Sequence, residues 1–375
     1  MKKLLILIHS LDGGGAERVV WRLSNYWATQ QGLDVHIAVM KPRFAYAALN
    51  NVQIHVLGQE QPTLAGKLLE QPFLISRFRK LVKSLQPDAV LALMPRSNVL
   101  AAMAKDCLKP GARLVLSERT SFDMQYSGLS RLLIGAAYRT LYPLADAIIT
   151  VSQGVAGELT CRGVPAAKVH AIPNPCDIGE LHELAGRAVP THPWLADSAV
   201  PVFLSVGRLA PEKDFKSLLR AFALVAEQRT ARLLIMGKGP LENELRAEIS
   251  RLGLDGRAEL VPFSSNPFPS IRQAFAYVLS SRAEGFPNAL MEAMALGKPC
   301  VAFDCKTGPS ELMDGRDCGL LVRPQGDSRA LARALLILLD SPSQAAAMGQ
   351  RAARRTEEFS LPLVASRYEQ LLFNR

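Results

Sequence analysis

The chain reads as two successive runs of short, almost wholly apolar segments separated by amphipathic stretches. In the first run these are LLILI (4–8), DVHIAVM (34–40), DAVLALM (88–94), RLVLS (113–117) and AIITVS (147–152). Unbroken apolarity over so short a length marks strands buried on both faces, as in a parallel sheet covered by helices. AERVVWRLSNYWATQ, between the first two, carries helical spacing. The rhythm lapses over 174–201, NPCDIGELHELAGRAVPTHPWLADSAVP, where prolines cluster, and the interdomain linker is placed there. It restarts with PVFLSVG (201–207), ARLLIMG (231–237), AELVPF (258–263), AYVLSS (276–281) and PCVAFD (299–304). The pattern predicts an α/β protein of two doubly wound parallel-sheet domains facing a central cleft, residues 1–180 and 181–360. The last residues, 361–375, hold an amphipathic helix, LPLVASRYEQLLF, with no strand after it.

Turns rich in glycine follow several of these strands and open into helices. HSLDGGGAERV follows the first, and such a loop lets backbone approach a phosphate closely. It is not a dinucleotide fingerprint, because Arg18 stands where a third glycine belongs and Asp34 begins the second strand instead of ending it. GRLAPEKDF follows PVFLSV and puts Arg208 and Lys213 at the carboxyl end of a parallel strand, where two cations can clamp a diphosphate. MGKGPLENEL (236–245) and TGPSEL (307–312) are further turns of the same kind. After AYVLSS comes EGFPNALME, with Glu284 before and Glu292 within a helix that Pro287 starts and Gly297 ends. The backbone N–H groups of Asn288, Ala289 and Leu290 then form an anion seat in its first turn. Glu292 can accept hydrogen bonds from vicinal sugar hydroxyls, and Glu284 lies where a transferred sugar would. Taken singly, each of these features also fits a solvated surface residue or an ordinary turn.

Composition narrows the class. With 375 residues, 49% hydrophobic and 21% charged, the chain is long enough for two cores and has the make-up of a soluble globular enzyme. No apolar run approaches the ~18 residues of a spanning helix. The opening MKKLLILIHS imitates a signal peptide, but its apolar stretch stops at His9 and reads as a first strand. Six dispersed cysteines without a Cys-x-x-Cys pair point to a reducing, cytoplasmic setting, and six dispersed histidines to no metal site. Net charge is +10, with 20 Lys and Arg against 13 Asp and Glu in residues 1–180 and 24 against 21 in the rest. A basic first half suits nucleic acid, an anionic membrane or a phosphorylated substrate, and 6% aromatics with no recognition motif argue against nucleic acid.

GRLAPEKDF, GKGPLENEL, EGFPNALMEAMALGKPCVA and GPSEL, in this order and spacing, resemble the family 4 retaining glycosyltransferases of GT-B fold. The likeness extends through most of the chain, including GGGAERV and the closing helix. It implies two Rossmann-like domains, the acceptor mostly on the first and the donor nucleotide on the second, with the final helix crossing back to the first. On matching positions it implies that Arg208 and Lys213 bind the donor diphosphate and Glu292 the ribose, that Glu284 contacts the transferred sugar, and that Asn288, Ala289 and Leu290 lend backbone donors. Gly14 and Gly15 would approach the diphosphate from the other domain. The catalytic set is then Glu284, Arg208 and Lys213, with no metal and no cofactor beyond a UDP-sugar donor. Three departures stand out: SERTSFD puts Glu118 and Arg119 where many relatives have a histidine near the sugar, Lys238 stands where relatives often have an acid, and NPCD replaces an Asn-Gly hinge.

PFLISRFRKLVKSLQP predicts a helix starting at Pro72, with Leu74, Ile75, Phe78, Leu81, Val82 and Leu85 on one face and Arg77, Lys80 and Lys83 on another. Such a helix can pack its apolar face on the sheet, lie on anionic lipid or meet a lipid diphosphate. With GGGAER and SERTS, it is similar to the branch extending polyprenyl-diphosphate-linked oligosaccharides. That likeness implies a sugar of N-acetylhexosamine or galactose type moved to a lipid-linked acceptor, peripherally, on the inner face of a bacterial cytoplasmic membrane. Glu118, Arg119, Arg77 and Lys80 are candidate acceptor or sugar contacts. The competing readings are a nucleotide-sugar epimerase or hydrolase of the same architecture and a non-catalytic sugar-nucleotide-binding module.

Overall fold

The computed structural model describes the chain except residues 31, 46–50, 60–63, 123–125, 127, 188–191, 198, 314 and 374–375, and except the side chains of 64–71. The chain divides into two compact units, Met1–Pro175 with Leu361–Arg375, and Cys176–Ser360. The division falls at 175/176 rather than 180/181. The stretch read as a linker instead folds into two helices of the second unit, because Leu181, Ala185 and Leu195 are apolar positions that bury there.

Unit 1 is built on seven parallel strands: β1 Lys2–Ile8, β2 Leu33–Val39, β3 Val52–Val56, β4 Ala89–Leu93, β5 Arg113–Glu118, β6 Ala147–Thr150 and β7 Val169–Ala171, in the order β3-β2-β1-β4-β5-β6-β7. The sequence pattern missed β3 and β7. Both are sheet edges, half in contact with solvent, so their residues are mixed in polarity and carry no continuous apolar run. The helices are α1 Gly15–Thr29, α2 Leu64–Leu85, α3 Pro95–Ala102, α4 Gly128–Thr140 and α5 Gln153–Thr160. α2 begins eight residues before Pro72, which lies inside it rather than at its start. One core forms where Leu4, Ile6 and Ile8 of β1 and their neighbours meet Val19, Val20, Leu23 and Trp27 of α1. Leu5 and Leu7, pointing to the other face, are also fully buried, so the sheet is covered on both sides.

Unit 2 has six parallel strands: β8 Val202–Val206, β9 Arg232–Met236, β10 Ala258–Val261, β11 Ala276–Leu279, β12 Cys300–Phe303 and β13 Leu320–Val322, in the order β10-β9-β8-β11-β12-β13. Its helices are α6 Ile178–Gly186, α7 Pro193–Ala196, α8 Phe215–Ala226, α9 Glu242–Arg251, α10 Phe268–Gln273, α11 Asn288–Ala295, α12 Pro309–Met313, α13 Ser328–Asp340 and α14 Pro342–Thr356. Phe203, Leu233, Ile235, Val278, Val301 and Phe303 of the sheet pack against Leu218, Phe222, Leu331 and Leu335 of α8 and α13. The last helix, α15 Leu361–Phe373, belongs to unit 1, where Val364, Tyr368 and Leu372 complete the core beside α1. No helix of the described residues is long and apolar enough to cross a membrane, and all six cysteines are free thiols.

Candidate functional site

In unit 2 the strand order reverses direction between β8 and β11, and at such a switch point the loops leaving the carboxyl ends of the two strands part to leave a crevice. Arg208 and Lys213 lie on the loop after β8, and Glu284 on the loop after β11. Lys213 Nζ donates to Glu284 Oε1 at 2.6 Å, and the Oγ of Ser281 donates to the same oxygen at 2.6 Å. The Glu284 carboxylate is largely shielded, at 12% exposure of its side chain. Arg208 is exposed and pairs with Glu212, four residues on. The Glu212 carboxyl is held below its usual range by hydrogen bonds from its own loop backbone and from Arg208, which outweigh its burial. Both cations expected to grip a diphosphate are therefore matched with carboxylates from the same two loops.

The two loops are fastened together. Ser280 Oγ donates to the Lys213 carbonyl at 2.7 Å, and the Arg282 N–H to the Glu212 carbonyl at 2.8 Å. Arg282 Nε lies 3.0 Å from Asp214 Oδ2, which also accepts from Ser217 Oγ at 2.8 Å. Asp214 takes φ +46°, a left-handed conformation costly for most residues but tolerable for an aspartate whose side chain is tied down. Residues Glu212, Asp214, Ser280, Ser281 and Arg282 were not singled out from sequence. The only sequence signal for the first two was their place on either side of Lys213 in PEKDF.

α11 is the other half of the site. Pro287 is its N-cap and Asn288 its first residue, one position later than expected. The Asn288 N–H donates to the Phe286 carbonyl at 3.0 Å, so it is not among the donors open to an anion. Ala289 and Leu290 remain in the first turn, where helix geometry supplies no i−4 partner. At the other end Gly297, at φ +72°, lets its N–H reach Met294 O and that of Lys298 reach Ala293 O, closing the helix as expected. Glu292 is 3% exposed and faces the interior side of α11, which rules out an ordinary solvated helix acid. The charges of Glu284 and Glu292 both reach Tyr277, whose hydroxyl is pushed far up, chiefly by burial.

The glycine turns after β9 and β12 shape the site mainly by letting backbone approach backbone. A Cβ at Gly237 would fall 1.9 Å from Gly207 O, and one at Gly239 would fall 2.4 Å from Leu209 O. Only glycine lets the β9 turn lie against the loop that carries Arg208. Likewise a Cβ at Gly308 would meet Pro287 Cδ at 2.6 Å, and Thr307 Oγ1 donates to the Glu284 carbonyl. Lys238, where relatives often have an acid, lies over the Phe263 ring at 5.0 Å.

In unit 1, Gly14 caps α1 and Gly15 opens it, with Gly13 at φ +104° making the turn. The Glu17 carboxylate folds back beside Gly14, where a Cβ would come within 2.3 Å of its Oε2. Burial raises that carboxyl's pKa. Glu118, at the end of β5, is wholly buried, with Oε2 accepting from Tyr138 at 3.0 Å and Tyr142 at 2.8 Å. Burial lifts its carboxyl to about 7, against the opposing pull of those two hydroxyls. Arg119 is also buried, donating to Tyr368 Oη at 3.0 Å, Ser117 Oγ at 3.3 Å and Asn174 Oδ1. Both side chains are turned into the unit and held by its own residues. Arg77 donates to the Leu57 carbonyl at 2.7 Å, and Lys80 is exposed.

Residues 13–180 match the family model described as Glycosyltransferase Family 4, and residues 193–355 match that described as Glycosyl transferases group 1. The chain is 30% identical over 372 residues to the N-acetylgalactosamine-N,N'-diacetylbacillosaminyl-diphospho-undecaprenol 4-alpha-N-acetylgalactosaminyltransferase of Campylobacter jejuni, covering 97% of this chain and 98% of that one. It is 26% identical over 381 residues to the amylovoran biosynthesis glycosyltransferase AmsD of Erwinia amylovora, covering 99% and 100%. Among solved structures, Anabaena HepE in complex with UDP superposes with a TM-score of 0.82 at 21% identity, over the full length of both chains. Two parallel-sheet units, the Arg208, Lys213, Glu284 and Glu292 set on the second, and likeness over nearly the whole length lead to one conclusion: the chain belongs to the family 4 glycosyltransferases of GT-B fold.

Proposed function

We propose that the enzyme transfers a sugar from a UDP-sugar to a lipid-diphosphate-linked oligosaccharide, with retention of anomeric configuration and without a metal ion. The observation that carries this reading is the Lys213–Glu284 pair at the switch point of unit 2. An incoming diphosphate offers Lys213 a stronger anion than one carboxylate, and Arg208 the same. Glu284, released from Lys213, is then close enough to the same anion site to accept a hydroxyl of the transferred sugar. The buried Glu292 suits the ribose hydroxyls, with Ala289 and Leu290 supplying backbone donors.

In the reaction the bond from sugar C1 to the β-phosphate oxygen breaks, and the acceptor hydroxyl oxygen bonds to C1 from the same face. The hydroxyl proton passes to the departing phosphate oxygen. Negative charge grows on that oxygen, and Arg208 and Lys213 are positioned to stabilise it, the work a metal performs elsewhere. A UDP complex of the HepE structure and the undecaprenol-linked acceptor named for the Campylobacter relative support the choice of nucleotide and acceptor. A lipid-linked acceptor places the enzyme peripherally on the inner face of a bacterial membrane, with Arg77 and Lys80 of α2 available to a lipid diphosphate.

The test is incubation with a panel of UDP-, GDP- and ADP-sugars and polyprenyl-diphosphate glycans in excess chelator. Transfer from a UDP-sugar with the α-linkage kept is expected. Consumption of no donor, or dependence on added divalent metal, overturns the corresponding part of the reading, and epimerised or free sugar without transfer overturns the acceptor.

A further inference from the structure

Two helices of unit 1 mix apolar residues with cations, and they use them differently. On α2 the residues spaced for one face, Leu74, Phe78 and Val82, are at most 4% exposed, so that face is spent on packing. On α4, Leu129, Leu132 and Leu133 are 71%, 71% and 62% exposed. Spacings of three and four put them on one side of the helix. Ala137 and Tyr138 are buried and anchor the helix to the unit, the tyrosine through its bond to Glu118. Single exposed leucines are ordinary on a protein surface, but three adjoining ones on one helix face form a patch that calls for an occupant.

Charge identifies the occupant. Unit 1 carries 22 Lys and Arg against 12 Asp and Glu, while unit 2 carries 22 against 22, so the whole net charge of the chain resides on the unit that exposes the leucines. Arg139, two turns beyond Leu132, is exposed on the same side of the helix, whereas Arg131 is turned to the opposite side, over the Phe122 ring. A second copy of the chain would bring the same excess of positive charge to such an interface and be repelled. An anionic bilayer offers negative headgroups above an apolar layer, which suits exposed leucines on a strongly basic unit.

We propose that α4 is the membrane-docking element of this enzyme, with Leu129, Leu132 and Leu133 entering the headgroup–acyl boundary of an anionic bilayer and Arg139 at headgroup level. This rests on the peripheral, lipid-linked reading above and adds the element responsible. The full chain is floated with vesicles of phosphatidylglycerol and phosphatidylcholine, and with vesicles of phosphatidylcholine alone. The Leu129→Ser, Leu132→Ser, Leu133→Ser triple variant is expected to partition to the anionic vesicles at least ~10-fold less than the unaltered chain. Its thermal midpoint and its turnover on a short, polyprenyl-free acceptor should not change. A Leu132→Trp variant should shift its emission to the blue on meeting anionic vesicles and be quenched by brominated lipid. Equal flotation of the triple variant and the unaltered chain, with no shift for Leu132→Trp, overturns α4 as the docking element and leaves the lipid-linked reading standing. Failure of the unaltered chain to float overturns both. Loss of a dimer in the triple variant with flotation unchanged shows the strip to be a protein interface and likewise overturns the proposal.

Discussion

Lys213 and Glu284 neutralise each other at 2.6 Å in a partly shielded place, so a donor diphosphate enters by exchanging one anion for another. Lys213→Ala removes a charge-assisted bond of roughly 1.5–3 kcal/mol and should weaken UDP binding about 10- to 100-fold by calorimetry. Glu284→Gln keeps the shape and frees the lysine; UDP should bind no more weakly while kcat for transfer falls, and an unchanged kcat would remove Glu284 from the site. Two shielded groups of unit 1 make opposing demands on pH. Glu118, with its pKa raised to about 7 by burial, keeps its proton in the folded chain where the unfolded chain has lost it, so its contribution declines as pH rises from the ordinary glutamate range to 7. His9, lowered to about 4 by burial and then by Arg96 and Lys41, is neutral in the folded chain where the unfolded one is charged, so its contribution grows as pH rises from 4 to 6.5. Glu118→Gln should therefore leave a stability that climbs over pH 4 to 6.5, measured by denaturant titration, with a flatter profile in the unaltered chain.

At the scale of elements, the site depends on loops held by side-chain clasps and, at the β9 turn, on a close approach that only glycine allows. Gly237→Ala would drive a Cβ into Gly207 O and displace the loop that bears Arg208 and Lys213, costing on the order of 2 kcal/mol or more in unit 2 together with most of the UDP affinity. Ala at Gly253, where a Cβ meets nothing within 4 Å but φ is +66°, carries only the backbone strain and is the control. Arg282→Gln cuts the clasp to Asp214 at an exposed position, so KM for donor should rise several-fold with little change in thermal midpoint. The ten strands read from the sequence are all present, and most are apolar runs buried on both faces; edge strand β10, with exposed Glu259, is the exception. The start of α2 was misplaced at Pro72 because a proline inside a helix and one at its first position look alike until the preceding turn is seen.

Across the whole molecule, the last helix is sequence-distant from the core it completes. Leu361, Val364 and Leu372 are at most 7% exposed, each contributing about 1.5–3 kcal/mol by burial, and Trp27 Nε1 donates to Glu369 at 3.0 Å. Truncation after Ser360 should unfold unit 1 and spare unit 2, seen as loss of one of two protease-resistant fragments. What the sequence determined by itself is whatever depends on short-range pattern: the parallel α/β units, the glycine turns at strand ends, and the family motifs holding Arg208, Lys213, Glu284 and Glu292. Hydrophobic period and turn chemistry act over a few residues and are written locally. The pairing of Lys213 with Glu284, the burial of Glu118 and Arg119 and the exposure of the α4 leucines were decided only by the tertiary structure. Each depends on which distant segments share a surface, and a leucine or a glutamate reads the same in sequence whether a neighbour covers it or water does.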